Sequence, residues 1–158
     1  MLIWLFLALQ APVSPPPPVP AAYMTAAEIE AVLKEQIARG VIDQPIEARD
    51  VPGGKASVAS LHRTRAEAGS LIHNDVTETY FIVEGAGTLV TGGTLGDSKP
   101  TDLTRFNAGM SQSGVRQGGE SRRVGPGDII VIPAGTPHGF SELDGPISYL
   151  VFRFEPKR

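Results

Sequence analysis

The chain's capacity for metal or acid–base chemistry rests on few side chains. Imidazole occurs three times in 158 residues, at His62, His73 and His138, and cysteine does not occur. Disulfides, thiolate metal sites and a cysteine nucleophile are thereby excluded, and any histidine chemistry must draw on those three positions. Two of them stand in patterned segments. His73 is followed after four residues by Glu78 and after six more by Gly85. Gly127 is followed by five residues, then Pro133-Ala134-Gly135, two residues and His138. Other chemistries find little support. No helix pattern follows Gly85-Ala86-Gly87, so no helix N-terminus is available there for a phosphate. No Gly-x-Ser-x-Gly elbow of an α/β-hydrolase is present. Arg122-Arg123 is too short for a basic patch, and 14 basic against 17 acidic residues give a net charge of -3, which argues against a nucleic-acid partner.

The elements that must position these residues are short. With 41% hydrophobic and 20% charged residues the length suits one globular domain. Thr25 and Glu28 have the spacing of a capping box, Ile29, Val32, Leu33 and Ile37 recur at helical spacing, and Gly40 stands where a C-terminal cap belongs. This predicts a helical N-terminal unit over 23–45, with one apolar face to lay against something else. Beyond Asp50-Val51-Pro52-Gly53-Gly54 the pattern turns to β segments separated by Gly, Pro and Asp: Ala56 to Thr64, Thr79 to Glu84, Thr88 to Thr91, Asp128 to Pro133 and Ile147 to Phe154. Strands at this spacing indicate an all-β sandwich or barrel over 46–158. The polar stretch 92–119 reads as one long loop, either a binding loop or lid or a solvated insertion. No internal repeat of 20 to 50 residues is visible.

Residues 1–22 read as an apolar leader and Pro-rich linker. Met1 to Leu9 is an unbroken apolar run, too short for a hydrocarbon layer that needs about 20 such residues, and closer to a signal-peptide core. Pro15 to Pro18 predicts an extended polyproline segment. The expectation is an exported chain, periplasmic or secreted, with no membrane span once mature. A membrane-proximal anchor is the alternative.

The segments His73-Asn74-Asp75-Val76-Thr77-Glu78, with its continuation to Gly85, and Gly127 to His138 together resemble the two sequence motifs of the cupin superfamily. The resemblance covers roughly Ala56 to Phe154. It implies a single-domain antiparallel β-barrel, jelly-roll-like, enclosing one divalent metal usually held by three His and one Glu. Imidazole and carboxylate donors suit Fe, Mn, Ni, Cu or Zn. Carried over by motif position, the ligands are His73, Glu78 and His138. The remaining histidine of the pattern should stand two positions before His73, where this chain has Leu71. His62 is the candidate replacement. If Ala66 to Gly69 form a four-residue hairpin loop, Arg65 faces Ser70 and His62 lies opposite His73. That register sends Val58 and Leu71 inward and Arg63 outward. Tyr80 shares the face of Glu78 and is a candidate cavity hydroxyl, with packing as its alternative role.

The resemblance implies a metal-dependent enzyme acting on a small molecule, such as a dioxygenase, isomerase or lyase, with the metal as Lewis acid or dioxygen-binding centre. The alternative is a metal-free barrel that binds a sugar-like or aromatic ligand. A role as a structural or interaction protein is the third reading. The resemblance also implies a homodimer.

Overall fold

The computed structural model describes residue 18 and residues 20–157. The apolar run at 1–9, and with it the leader reading, lies outside the described residues. Helix α1 (Ala26–Arg39) begins and ends as its residues dictate. The Thr25 hydroxyl accepts from the Glu28 backbone N–H, the Glu28 carboxylate accepts from the Thr25 N–H at 2.7 Å, and Gly40 closes the helix at φ 64°. Its anchor is polar rather than apolar. Gln36 is buried and donates to the carbonyls of Ile42 (2.8 Å) and Ser60 (2.9 Å), while Ile37 on the expected apolar face stays exposed.

Eleven strands follow: β1 (Asp43–Val51), β2 (Gly54–Arg63), β3 (Ser70–His73), β4 (Thr77–Glu84), β5 (Gly87–Thr91), β6 (Thr94–Asp102), β7 (Met110–Gln117), β8 (Glu120–Val124), β9 (Ile129–Ile132), β10 (His138–Leu143) and β11 (Ile147–Pro156). They form a five-stranded sheet of order β1-β2-β11-β4-β9 and a six-stranded sheet of order β6-β7-β3-β10-β5-β8, with antiparallel pairing throughout. The sheets face each other as a jelly-roll-like barrel. One part of the interior is filled by Leu61, Ile82, Leu89, Phe140, Ile147, Tyr149 and Val151, the inward alternates of strands with period-two patterning.

Three expectations are corrected. The span 23–45 is helical only to Arg39, because β1 begins at Asp43. The stretch 92–119 is not one loop: β6 and β7 form a hairpin around the 3-10 turn η1 (Thr104–Phe106). These strands are held by main-chain pairing of β7 on β3 rather than by an apolar face, so their side chains carry little strand signal. The β2–β3 hairpin does not form. β2 pairs with β1 and β11, and β3 pairs with β7 and β10 in the opposite sheet. His62 therefore pairs with Ser148 rather than His73.

Candidate metal centre

Three of the four expected ligands converge. His73 ends β3, Glu78 is the second residue of β4, and His138 opens β10. Two motif glycines make this arrangement accessible. Gly135, at φ 78°, turns the chain between β9 and β10 so that the backbone arrives at His138. Gly85, at φ 79°, leaves β4 where a Cβ would collide with the Pro146 carbonyl. All three ligand side chains are buried, with their donor atoms within 4.8 Å of one another.

The imidazoles are oriented from outside. His138 Nδ1 lies 2.9 Å from the Thr136 carbonyl oxygen, which only accepts, so Nδ1 carries the proton. His73 Nδ1 lies 2.8 Å from the Ser111 hydroxyl, whose own proton goes to the Ala108 carbonyl at 3.2 Å, so this Nδ1 is again the donor. In the neutral imidazoles both Nε2 atoms then present lone pairs. They aim at the same atom: Oε2 of Glu78 is 3.4 Å from His73 Nε2 and 3.3 Å from His138 Nε2. Three electron-rich atoms facing one another need a cation or protons between them. A direct charge-assisted hydrogen bond would bring N and O to about 2.7–2.9 Å. Two donors about 2.1 Å from a shared ion, at a tetrahedral angle, lie about 3.4 Å apart. The observed spacing matches the second case, so the donor set fits a divalent metal, with Nδ1–H bonds of the kind that fix metal-ligating histidines.

The other oxygen of Glu78 is taken by a residue the sequence reading missed. Arg153, on β11 and paired in register with Glu78, donates from Nε to Oε1 at 2.7 Å. It also donates from Nη2 to Asp43 Oδ2 at 2.7 Å and from Nη1 to the Phe106 carbonyl at 2.7 Å. Tyr80 donates its hydroxyl to Oε2 at 3.0 Å. Burial alone would raise the Glu78 carboxyl, but the contacts to His138 and His73 and the charge of Arg153 outweigh it and hold the group well below the usual carboxylate range. The same burial, with Glu78 beside it, pushes the Tyr80 phenol well above its ordinary value, so Tyr80 remains a donor. For His138, burial disfavours the cation, yet the Glu78 carboxylate beside its Nε2 wins and raises the imidazole.

His62 is not in this centre. Its parity on β2 points it away from the interior, with Nδ1 2.9 Å from Ser148 Oγ. The inward positions of that strand are Ser57, Ala59, Leu61 and Arg63. Arg63, expected outward, lines the cavity, binds the Tyr149 hydroxyl at 2.8 Å and pairs with Glu67 at 3.1 Å, while Val58 faces outward. Leu71 does face the cavity, opposite His138, and places a methyl-bearing wall where a further donor was sought. Among the described residues the centre therefore offers three candidate protein donors. Arg153 was legible in principle, since it continues the inward alternation Ile147, Tyr149, Val151; Asp43 and Ser111 carried no comparable signal.

The centre opens into a cavity of about 470 Å³. Leu61, Leu71 and Leu103 form apolar wall, and His73, Glu78, Tyr80 and His138 line its polar end.

No protein-family model and no curated protein matches the sequence. Solved structures do match. A protein from Bacillus halodurans is 15% identical over 88% of this chain and 85% of its own, with a TM-score of 0.53, which bears on the fold alone. A cupin protein from Bacteroides fragilis is 19% identical over 65% of this chain and 66% of its own, at a TM-score of 0.43. The DMSP lyase DddQ from Ruegeria pomeroyi is 20% identical over 65% of this chain, at a TM-score of 0.43, and this chain spans only 39% of that enzyme's length.

Proposed function

We propose that this chain, whose two facing antiparallel sheets and single N-terminal helix are the cupin fold, is a metal-dependent enzyme for a small molecule, with one divalent transition metal held by His73, Glu78 and His138. The observation that carries the reading is the pair of tautomers fixed by Thr136 and Ser111, which turn both Nε2 lone pairs onto one oxygen of Glu78 at 3.3–3.4 Å. Three protein donors leave coordination positions open toward the cavity, and an ion there supplies Lewis-acid or dioxygen-binding chemistry. The chain's own contributions are separate. Arg153 holds Oε1 of Glu78 so that Oε2 is the donor, Tyr80 keeps a proton at its hydroxyl beside that oxygen, and the leucine wall excludes water.

Elemental analysis tests this. Protein purified without chelator or an affinity-tag metal should carry about one equivalent of transition metal per chain, and His73→Ala and His138→Ala should each abolish retention. A wild-type chain that takes up no Fe, Mn, Ni, Cu or Zn after refolding with each would overturn the reading. One observation favours the alternative of a metal-free, small-ligand-binding barrel: Arg153 already neutralises Glu78, and Leu71 supplies no donor.

Self-association belongs to the same proposal. Phe81, Val83, Ile129, Val131, Phe152 and Phe154 lie exposed on β4, β9 and β11, with Ile129 and Val131 at 67% and 63%. They present about 500 Å² of apolar surface per copy, or roughly 1,000 Å² between two copies, near the lower bound for a specific interface. Export remains a proposal resting on the apolar run at 1–9. Among the described residues no helix is long and apolar enough to cross a membrane.

A further inference from the structure

The charges around the cavity bear on what enters it. Its lining includes three arginines, Arg63, Arg105 and Arg153, and three acids, Asp43, Glu67 and Glu78. With neutral imidazoles these cancel, and a divalent ion at the three-ligand centre leaves a formal surplus of two positive charges. Two of the arginines are spoken for. Arg63 pairs with Glu67 and Tyr149, and Arg153 with Glu78, Asp43 and the Phe106 carbonyl. Arg105 differs: among the described residues no carboxylate lies within ion-pair distance of its guanidinium, which stacks 4.4 Å above the Phe106 ring. The acid nearest in sequence, Asp102, feels the charge of Arg105, but it caps η1 by accepting from the Thr104 N–H (2.9 Å) and hydroxyl (2.7 Å), and these bonds lower its carboxyl more than Arg105 does.

The mount of Arg105 is tied to the centre itself. It sits on η1 between β6 and β7, and the Phe106 carbonyl is held at 2.7 Å by the same Arg153 that binds Glu78. Two residues further on, the Ala108 carbonyl accepts from Ser111, which orients His73. The turn carrying this guanidinium, which has no ion-pair partner among the described residues, is thus fixed from both sides by groups that also fix the ligands, and Arg105 is among the residues that line the cavity. Leu61, Leu71 and Leu103 supply the apolar wall.

We infer that the cavity selects a small organic carboxylate with an apolar skeleton, its charge met by Arg105 and its body lying along the leucine wall. The inference rests on the metal-dependent reading for the two surplus charges. Arg105 acts in it as a specificity-determining residue, since a planar guanidinium accepts a carboxylate in bidentate fashion.

The test is titration calorimetry on the full chain loaded with Zn(II), in chloride-free buffer at low salt, using phenylacetate, benzoate, hexanoate and glutarate at up to millimolar concentration. Phenylacetamide, benzamide and hexanamide are the neutral isosteres. At least one carboxylate should bind about tenfold more tightly than its amide or, for glutarate, than glutaramide. Arg105→Gln should remove most of that preference by weakening the carboxylate, and Arg105→Lys should restore part of it through the charge alone. Failure of all four carboxylates to bind, equal binding of acid and amide, or a preference that Arg105→Gln leaves intact would each overturn the inference. Metal content measured on every sample separates this from the functional reading. If no metal is retained, that reading fails on its own count. The Arg105-dependent preference is then measured on the same metal-free chain, where it should be smaller but still abolished by Arg105→Gln.

Discussion

Replacing Arg153 with methionine strikes the part of the centre that no motif announces. The guanidinium is nearly as buried as its partner, with 3% of the Arg153 side chain and 2% of the Glu78 side chain exposed. It makes three bonds of 2.7 Å, to Glu78, Asp43 and the Phe106 carbonyl. Methionine fills similar volume but leaves the buried Glu78 and the half-buried Asp43 without the guanidinium they share. Breaking a buried ion pair by removing one member costs about 3–5 kcal/mol. For a chain of this size, where each kcal/mol moves the midpoint by about 3 °C, the expected fall in Tm is about 10–15 °C. Asp43→Asn should cost less, about 1–2 kcal/mol, because the Arg153–Glu78 contact survives it. The double variant should then be less destabilised than the sum of the two, by about 1–3 kcal/mol, since Asp43 no longer needs the missing cation. Urea unfolding followed by circular dichroism, in chelator, measures all three. Adding Zn(II) should stabilise Arg153→Met by more than it stabilises the wild type, because the ion then replaces the positive charge that Glu78 has lost. If Arg153→Met lies within about 1 kcal/mol of wild type in chelator, or if the two substitutions simply add, the reasoning about the triad is wrong.

Acidity should move folding and metal retention in opposite directions. His138 is held above its ordinary value near 6.5 by Glu78, so its proton stabilises the metal-free fold; that contribution is complete below pH about 6.5 and is lost as pH rises through the raised folded value. Glu78, held below 4.5, contributes stability above that value and loses it only as pH falls through its depressed folded value. Metal ligation demands a bare Nε2, so the stabilisation conferred by Zn(II) should grow over about pH 6–8 while the metal-free chain weakens; parallel trends in the two melting series would contradict this. His62→Ala should leave metal content unchanged while costing about 1 kcal/mol for the lost Ser148 bond, and loss of metal in that variant would return His62 to the site. Val131→Glu should convert a dimer to monomer in sedimentation velocity without changing metal content, whereas a monomeric wild type removes the proposed interface.

What the sequence disclosed, and what it did not, divides along the distance over which residues cooperate. The segment Gly127 to His138 was readable because its constraints are local: Gly135 needs a positive φ, and the turn it makes delivers His138 to the start of β10. Period-two alternation in Ile147 to Phe154 likewise placed a strand whose inward set is Ile147, Tyr149 and Val151. The same alternation put Arg153 inside. That burial is not legible locally, because arginine is seldom buried unless paired and its pairs lie 75 and 110 residues away at Glu78 and Asp43. The error at His62 has the same root in reverse. Neighbours in sequence are neighbours in a sheet only about two-thirds of the time, and here the chain crosses from one sheet to the other between β2 and β3. On β2 it is Arg63, not His62, that lines the cavity. Leu71 offers no donor beside His138, and Arg153 occupies Oε1 of Glu78, so Oε2 and two imidazoles are left as a three-point candidate site on the cavity wall.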